Sequence, residues 1–410
     1  MPEENKKSKK GSSFLKLALF LIILAIIAVV VLYSFFDISP SELFTKGFSG
    51  VYDSIASNTE GIDKLKETVK PIMTFDLNER IYCIPASKDL VVASTSYVRI
   101  LDSEGIEKSY IPVTLKKPFV MSYDNEILVA DLEGRYFALI YNGRIVWEKN
   151  IDENIVNASI SDNWVILITQ SKQSGYKRSI RAYSKDGQEV SLRNVSNYYP
   201  FKAYSLPEYN PGCFMLSSIE VSGLEANGLF EFFDCSMNQK ASIRGLNEIF
   251  GGAYPLKENN LFLFAERSVM AINNAYQTIW NNKYKDFTVT AANVINDEFP
   301  VVALLNDDIL SREKHYETTI KIYNKDGTEK ADYKVNGNVS AISTKNKTAA
   351  VLAESEVFFI NYKGELMDKY TAKSNIESVH FGKDNVAYVV TSDTITRVNV
   401  KTRDKFLGIF

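Results

Sequence analysis

The stretch Tyr97-Val98-Arg99-Ile100-Leu101-Asp102-Ser103-Glu104-Gly105 decides the fold, because its short apolar strand and polar turn recur along the chain. Related copies occupy residues 136–143, 180–187, 229–237, 268–276, 319–327, 356–364 and 394–403. Five copies keep a turn glycine, at Gly105, Gly143, Gly187, Gly327 and Gly364. Asn-Gly and Asp-Gly favour tight hairpins because positive φ costs little there. The repeat therefore predicts a series of β-hairpins.

Two further strands complete each repeat unit on the N-terminal side. A fully apolar strand such as Leu90-Val91-Val92-Ala93 is typical of a strand covered on both faces. The strand before it contains small residues, as in Pro85-Ala86-Ser87 and Ala291-Ala292-Asn293. Four short strands repeating at about 40 residues are the signature of β-propeller blades, whose first strands converge on the axis.

We therefore predict an all-β fold, a β-propeller over residues 72–410 with four-stranded blades. Eight units are visible, or seven if the weak unit around residues 198–244 is an insertion. Ring closure has two solutions. Thr74-Phe75-Asp76-Leu77 can pair with the last blade, or the C-terminal residues 405–410 can supply that outer strand.

The N-terminal region predicts a membrane anchor. Residues 17–36 form an apolar run of 20 residues broken only by Ser34, which as a helix spans about 30 Å, the thickness of a bilayer core. We assign residues 14–36 to a transmembrane helix that acts as a signal anchor. Residues 1–13 form a basic tail, with Lys6, Lys7, Lys9 and Lys10. By the positive-inside rule the N-terminus is cytoplasmic and the C-terminal domain of this single-pass cell-membrane protein is extracytoplasmic.

Residues 37–71 are predicted to form a short helical stalk. Ser39-Pro40-Ser41-Glu42 is a helix-start pattern, and an apolar helical face follows it. That face packs against the membrane surface or a partner, or against the chain's own β domain. Ile62, Leu65 and Val69 indicate a second short helix that ends at Pro71.

Composition restricts the chemistry. The net charge of −3 gives no basic field for nucleic acid, so we expect no nucleic-acid partner. Only His315 and His380 are present, which argues against histidine triads and multi-histidine metal sites. The three cysteines form no Cys-x-x-Cys pair, and whether Cys213 and Cys235 pair stays open. We predict no cofactor, metal ligand or catalytic residue.

An aromatic, proline-containing stretch at residues 198–211 provides the candidate binding residues. Aromatic side chains on a rigid loop are typical of binding surfaces. The candidates are Tyr198, Tyr199, Phe201, Tyr204 and Tyr209. The alternative is that these aromatics belong to a first strand and pack on neighbouring blades.

The run Gly143-Arg144-Ile145-Val146-Trp147 resembles the Gly-x-x-x-Trp element of quinoprotein-like (PQQ-like, WD40-like) propeller repeats. The resemblance implies that Trp147 and Trp280 dock between neighbouring blades. The equivalent positions elsewhere are Ser109, Ser191, Ala331 and Asp368. The whole layout is similar to membrane-anchored propeller proteins of unknown function from Gram-positive bacteria. It also resembles the propeller of the outer-membrane assembly lipoprotein.

These observations favour a membrane-tethered, extracytoplasmic propeller that serves as a binding or scaffolding module for an envelope or membrane protein. The absence of a recognisable catalytic motif makes an enzyme the second choice. That alternative is an extracytoplasmic propeller enzyme, either a quinoprotein-like dehydrogenase or a glycan-active enzyme with two carboxylates about 5–10 Å apart in a cleft.

Overall fold

The computed structural model describes residues 69–401, except 208, 210, 211, 223, 307–316 and 384. Every regular element in this part of the chain is a β-strand, and the strands form eight antiparallel sheets of four strands each. The predicted all-β propeller with eight four-stranded blades is confirmed. The predicted transmembrane helix at residues 14–36 and the stalk up to residue 68 lie outside the described residues.

The first four blades follow the chain in order. Blade 1 comprises β2 (Tyr82–Ala86), β3 (Asp89–Ala93), β4 (Tyr97–Leu101) and β5 (Glu107–Pro112). Blade 2 comprises β6 (Pro118–Tyr123), β7 (Glu126–Asp131), β8 (Tyr136–Tyr141) and β9 (Arg144–Asn150). Blade 3 comprises β10 (Ile155–Ile160), β11 (Trp164–Gln170), β12 (Arg178–Ser184) and β13 (Glu189–Val195). Blade 4 comprises β14 (Tyr198–Ser205), β15 (Cys213–Ser222), β16 (Glu225–Asp234) and β17 (Gln239–Leu246).

The remaining blades include the one that closes the ring. Blade 5 comprises β18 (Phe250–Leu256), β19 (Asn260–Ala265), β20 (Ser268–Ile272) and β21 (Thr278–Lys283). Blade 6 comprises β22 (Phe287–Ile295), β23 (Phe299–Asn306), β24 (Glu317–Tyr323) and β25 (Glu329–Asn336). Blade 7 comprises β26 (Val339–Lys345), β27 (Thr348–Ala353), β28 (Glu356–Asn361) and β29 (Leu366–Thr371). Blade 8 comprises β30 (Ile376–Phe381), β31 (Val386–Thr391), β32 (Thr394–Asn399) and, outermost, β1 (Val69–Thr74).

The blade count settles one alternative from the sequence. The weak unit around residues 198–244 is a complete blade 4 rather than an insertion, and its β15 and β16 pair over ten residues from Cys213–Asp234 to Ser222–Glu225. Cys213 lies beside the end of β16 and Cys235 directly follows it, and both are free thiols in the structure, as is Cys83.

Ring closure uses the N-terminal solution. β1 pairs antiparallel with β32, from Val69–Val398 to Thr74–Thr394. The strand that pairs is therefore 69–74, which overlaps the predicted 74–77 at Thr74, and Phe75 N–H donates to the Asp393 carbonyl at 2.9 Å beyond its end. The extension of the helical stalk through Val69 and Pro71 is wrong, because both residues lie in this strand. A proline is tolerated in an edge strand, where its missing N–H faces away from the ladder.

The core consists of wedges between neighbouring blades. One wedge combines Leu128 and Leu139 of blade 2 with Val165 and Leu167 of blade 3. The second strand of each blade is covered on both sides, so β27 is buried at every position. An outermost strand such as β9 alternates between exposed and half-buried residues instead. This gradient explains the apolar second strands and polar fourth strands of the sequence repeat.

The hairpins between third and fourth strands use their glycines in two ways. In blade 2, Asn142 and Gly143 both have positive φ, at 48° and 74°, as a two-residue type I′ turn requires. In blade 6 only Gly327 does, with φ at 81°. A Cβ atom at Gly327 would lie 2.6 Å from Trp280, so this glycine also makes room for a ring from blade 5.

The substitution Gly327→Ala is expected to lower the free energy of unfolding by about 3 kcal/mol, from left-handed backbone strain plus the clash with Trp280. Gly175 is the matched control, because it has φ at 86° but a Cβ atom added there would have nothing within 4 Å. Gly175→Ala should cost about 1 kcal/mol, the backbone strain alone. Urea unfolding of both variants measures the difference, and equal losses would contradict the steric argument.

Candidate functional site

The turns of the eight blades define two faces of the ring. Because the four strands of blades 1 to 7 are antiparallel and sequential, their first-to-second and third-to-fourth turns lie at the same end, as does the first-to-second turn of blade 8. We call this end the hairpin face. The second-to-third turns and the connections between blades lie at the opposite end. Two cavities lined by described residues lie on the hairpin face.

The mouth cavity lies on the hairpin face at the axis of the ring and has a volume of about 480 Å³. It touches blades 7, 8, 1 and 2, and blades 7 and 2 approach each other only near the axis. Polar groups dominate its wall, and Ser122 Oγ donates a hydrogen bond to the Pro85 carbonyl at 3.1 Å. The lining residues are Pro85, Ser87, Ser122, Asp124, Asn125, Lys345, Phe381 and Gly382.

Charge on the hairpin face is divided between two sides of the ring. The first hairpins of blades 7 and 1 carry exposed lysines, at Lys345, Lys347 and Lys88. Those of blades 5 and 6 carry Glu258, Asp297 and Glu298, of which Glu298 pairs with Lys257 and Glu258 with Lys325. Among the described residues, no carboxylate lies within ion-pair distance of Lys88 or Lys345. Asp124 is exposed at the mouth cavity and partly offsets this positive charge. The side next to blades 7 and 1 is therefore the one suited to an acidic partner.

Both tryptophans of the Gly-x-x-x-Trp resemblance dock on the next blade, as that resemblance implies. Trp147 Nε1 of blade 2 donates to the Lys185 carbonyl of blade 3 at 2.7 Å, and its ring covers Gly187. Trp280 Nε1 of blade 5 donates to the Lys325 carbonyl of blade 6 at 2.8 Å, and its ring covers Gly327. We call the space that each indole fills an interblade slot.

Other residues occupy the equivalent position in the remaining slots. Ser109 Oγ donates to the Gly143 carbonyl at 2.6 Å, and Ser191 Oγ donates to the Cys235 carbonyl at 2.6 Å. A Cβ atom added at Gly364 would lie 3.0 Å from the Cβ of Ala331, so Ala331 covers this turn glycine. In the same way, Ile72 of β1 covers Gly105, where an added Cβ would lie 2.8 Å from the Cβ of Ile72. The docking position is therefore kept around the ring even where the tryptophan is lost.

In the blade 1–2 slot Ser109 covers Gly143, and beside it the described residues leave a pocket with a volume of about 240 Å³, which we call the blade 1–2 pocket. Its apolar floor comes from Ile100 and Ile127, and its rim includes the Lys108–Asp89 ion pair at 2.5 Å. Asn125 lines both this pocket and the mouth cavity, so the two are neighbours on the hairpin face. The full lining is Ala86, Asp89, Ile100, Lys108, Ser109, Asn125, Ile127, Asn142 and Gly143.

Three of the five aromatic candidates from residues 198–211 are buried: Tyr198, Tyr204 and Tyr209 are 6%, 9% and 3% exposed. Tyr209 Oη donates to the Asn273 carbonyl of blade 5 at 2.7 Å, so this tyrosine docks on the next blade much as the tryptophans do. These three cannot contact a partner unless the blades separate. Their placement matches the alternative interpretation, in which the aromatics pack on neighbouring blades.

The other two aromatic candidates, Tyr199 and Phe201, are half-buried on the inner strand β14. Lys177 Nζ lies 4.1 Å from the centre of the Tyr199 ring, a cation–π distance. These two side chains keep accessible surface and remain binding candidates.

Glu231 is a buried carboxylate that the sequence analysis missed. It is 1% exposed and lies on β16 between Leu229 and Phe233, which pack between blades 3 and 4. Burial raises the pKa of Glu231, and the neighbouring Tyr198, Arg193 and Arg244 oppose that change. Its position in the middle of an apolar strand face was the only available signal. The surrounding side chains stabilise the blade 3–4 contact and do not open to either cavity.

His380 provides a pH-dependent test of the inner strands. It lies on β30, and burial lowers its pKa to about 4. In the unfolded chain the pKa of a histidine is about 6.5. A histidine whose pKa is lower in the folded state stabilises the fold at pH values above about 6.5, and this stabilisation is lost as the pH falls toward the folded-state pKa. Between pH 7 and pH 4, the free energy of unfolding of His380→Asn should fall by about 2–3 kcal/mol less than that of the wild type. Urea unfolding at both pH values measures this, and identical pH dependence would contradict it.

The described part of the chain shows neither a metal-ligand cluster nor a membrane-spanning helix. Within these residues, no group of three or more histidine, cysteine, aspartate or glutamate side chains is arranged to hold a metal ion. No helix in residues 69–401, so far as they are described, has the length and apolarity needed to cross a bilayer.

Comparison with solved structures gives the fold. The crystal structure of BamB from Moraxella catarrhalis matches with a TM-score of 0.55 and 13% identity, over 82% of this chain and 99% of that one. The Dos1 propeller matches with a TM-score of 0.58 and 11% identity, over 82% and 97% of the two chains. At such identities the likeness establishes the propeller architecture alone. No curated protein matches the chain significantly in sequence.

Comparison with family models gives the classification. Residues 66–400 match one family model, and this range begins three residues before β1 and ends just after β32. The match thus covers the complete ring, from the closing strand to the last strand of blade 8. The chain belongs to DUF5711, a family of unknown function.

Proposed function

We propose that this chain is a membrane-tethered, extracytoplasmic propeller that binds and scaffolds a protein partner of the cell envelope or membrane. The observation that carries the proposal is the mouth cavity, which four blades build together on the hairpin face. Its accessible lysine and carboxylate, Lys345 and Asp124, are available to an incoming protein surface. The lysine-rich start and the apolar run at residues 17–36 support the tether.

The rigidity of the ring suits this role. Each blade is fixed to the next by a docked side chain such as Trp147 or Trp280, so the hairpins hold constant positions. Loops placed by a rigid scaffold are the usual carriers of recognition. A membrane tether on the same chain raises the effective concentration of the propeller near membrane partners.

Nothing in the mouth cavity specifically favours the enzyme alternative. Its lining includes the single carboxylate Asp124, whereas glycoside hydrolysis requires two carboxyl groups that face each other across the substrate. A quinoprotein-like dehydrogenase or a glycan-active enzyme therefore remains a hypothesis without a supporting geometry at this cavity.

The location is tested by cysteine labelling in intact cells. In a background with the three native cysteines replaced by alanine, we place one cysteine at Leu224, a fully exposed turn residue. A membrane-impermeant maleimide should label Leu224→Cys without lysis. The matched control, Ser8→Cys in the basic tail, should be labelled only after lysis. The reverse pattern would overturn the proposed topology.

The partner is tested by photo-crosslinking in the same cells. A benzophenone amino acid at Lys345 or Lys88 on the hairpin face should give one discrete crosslinked product with an envelope or membrane protein. The control position is Val190, which is 45% exposed on an outermost strand away from the cavity. Equal products from Val190, or none from the hairpin face, would contradict the scaffolding role.

A further inference from the structure

We propose that the blade 1–2 pocket receives an aromatic side chain from an extended, acidic segment of the partner protein. The inference rests on the proposed function and specifies how the partner is held. Its two parts, the aromatic side chain and the acidic flanks, follow from different observations of the pocket and of the charge beside it.

The aromatic preference follows from the slots that the protein fills itself. Trp147 and Trp280 show that an interblade slot accepts an indole lying flat over a turn glycine, with its N–H on a turn carbonyl. The blade 1–2 pocket lies in the equivalent slot and has an apolar floor, but its turn glycine, Gly143, is covered by Ser109 rather than by an indole. A cavity of about 150 Å³ holds benzene, so about 240 Å³ is sufficient for a larger ring.

This slot is open because both of its variable positions are small. Ser109 occupies the tryptophan position on blade 1, and Gly143 forms the turn on blade 2. The blade 3–4 slot also has a serine, Ser191, but its turn carries Met237, whose side chain packs into the adjacent core. A small docking residue alone therefore does not produce a pocket.

Aromatic rings close two other slots that lack a tryptophan. In the blade 4–5 slot, Tyr209 packs 6.4 Å from the ring of Tyr276. In the blade 6–7 slot, Phe299 stacks on Tyr362 at 5.3 Å. The protein thus fills comparable spaces with its own rings, and the blade 1–2 pocket offers this environment to a ring from outside.

The acidic flanks follow from the charge next to the pocket. The mouth cavity, where Lys345 is exposed, adjoins the pocket at Asn125, which lines both. Lys88 lies in the first hairpin of blade 1, beside the pocket-lining Asp89. A segment with its ring in the pocket and its chain across the mouth meets these two lysines, so acidic residues beside the ring are favoured. Asp124 opposes this preference at one point of the path.

The test uses the full-length chain in detergent and a random dodecapeptide display library as the probe. We expect the enriched peptides to contain Trp, Tyr or Phe flanked by Asp or Glu. Their affinity is then measured by fluorescence polarisation for three variants. Ser109→Trp fills the pocket with an internal indole and should weaken binding at least about tenfold, as expected for loss of a buried aromatic anchor. Ser109→Ala leaves the pocket open and should change binding less than about twofold.

The third variant keeps the test independent of the pocket substitution. Lys88→Glu with Lys345→Glu alters only exposed side chains and should also weaken binding about tenfold, with a smaller effect at high salt. A circular-dichroism melt of Ser109→Trp checks that the propeller stays folded with the larger side chain, and a folded variant that binds more weakly supports the inference. Enrichment of peptides without aromatic residues, or equal binding by Ser109→Trp and wild type, would overturn the inference.

The cellular crosslink separates this inference from the proposed function. If Ser109→Trp leaves the Lys345 crosslink intact, the partner is held elsewhere, so the proposed function stands and the pocket assignment fails. If no crosslink forms in any variant although acidic aromatic peptides bind the wild-type pocket, the envelope partner is wrong and the pocket chemistry stands. Loss of the crosslink in Ser109→Trp, with retention in Ser109→Ala, supports both.

Discussion

Replacement of Ile72 by aspartate is expected to lower the free energy of unfolding by about 3 kcal/mol. Ile72 lies on the closing strand β1, where its side chain packs with the core between blades 8 and 1. Ile72 is partly buried, so its apolar contacts contribute toward the lower end of the about 1.5–3 kcal/mol of a fully buried side chain, and a carboxylate in the same place adds a desolvation cost. Urea unfolding followed by tyrosine and tryptophan fluorescence measures the loss.

The matched control is Val69→Asp on the same strand. Val69 is 42% exposed, so its replacement should cost less than about 1 kcal/mol. Both variants keep the strand, so the difference between them measures the contribution of the packed Ile72 side chain. If Ile72→Asp is as stable as Val69→Asp, β1 does not close the ring in solution.

Replacement of Trp147 by alanine is expected to cost about 3–4 kcal/mol, within the usual range for a packed tryptophan. The variant loses the hydrogen bond to the Lys185 carbonyl and an edge-to-face contact with Phe137 at 5.5 Å. It also uncovers Gly187 at the blade 2–3 contact. The loss is measured by chemical denaturation of the full-length chain.

A double-mutant cycle gives a sharper form of this prediction. A Cβ atom at Gly187 would lie 3.0 Å from the Trp147 ring. Gly187→Ala should therefore destabilise the wild type by more than it destabilises Trp147→Ala, where the ring is absent, with a coupling of about 1 kcal/mol. Additive losses would show that the indole does not rest on this glycine.

The blade architecture could be read from the sequence because it is local. Blades 1 to 7 are meanders of four consecutive strands, and blade 8 has three, so the alternation of residues and the turn glycines report them directly. Ring closure could not be read in the same way, since β1 pairs with a strand at the far end of the chain. Pro71 indicated the end of a helix, yet it lies in an edge strand, where the same residue is acceptable.

The candidate site was less predictable for a related reason. Trp147 and Trp280 belong to a motif with fixed spacing, so their docking positions followed from the resemblance. The blade 1–2 pocket exists only because Ser109 and Gly143, from two blades, are both small. No pattern within one repeat reveals that coincidence. The tyrosines at positions 198, 204 and 209 suggested a surface because composition does not show which side of a strand each residue occupies.

Pairing of the first strand with the last has a consequence for biosynthesis. A ribosome adds about 5–20 residues per second, so β1 is made on the order of half a minute before β32 exists. Throughout that interval the nascent chain carries an unsatisfied strand edge, the kind of surface that recruits other chains. Premature termination anywhere before residue 394 leaves this edge without its mate. Truncated products of this gene should therefore depend on chaperones or be degraded, however many blades they have completed.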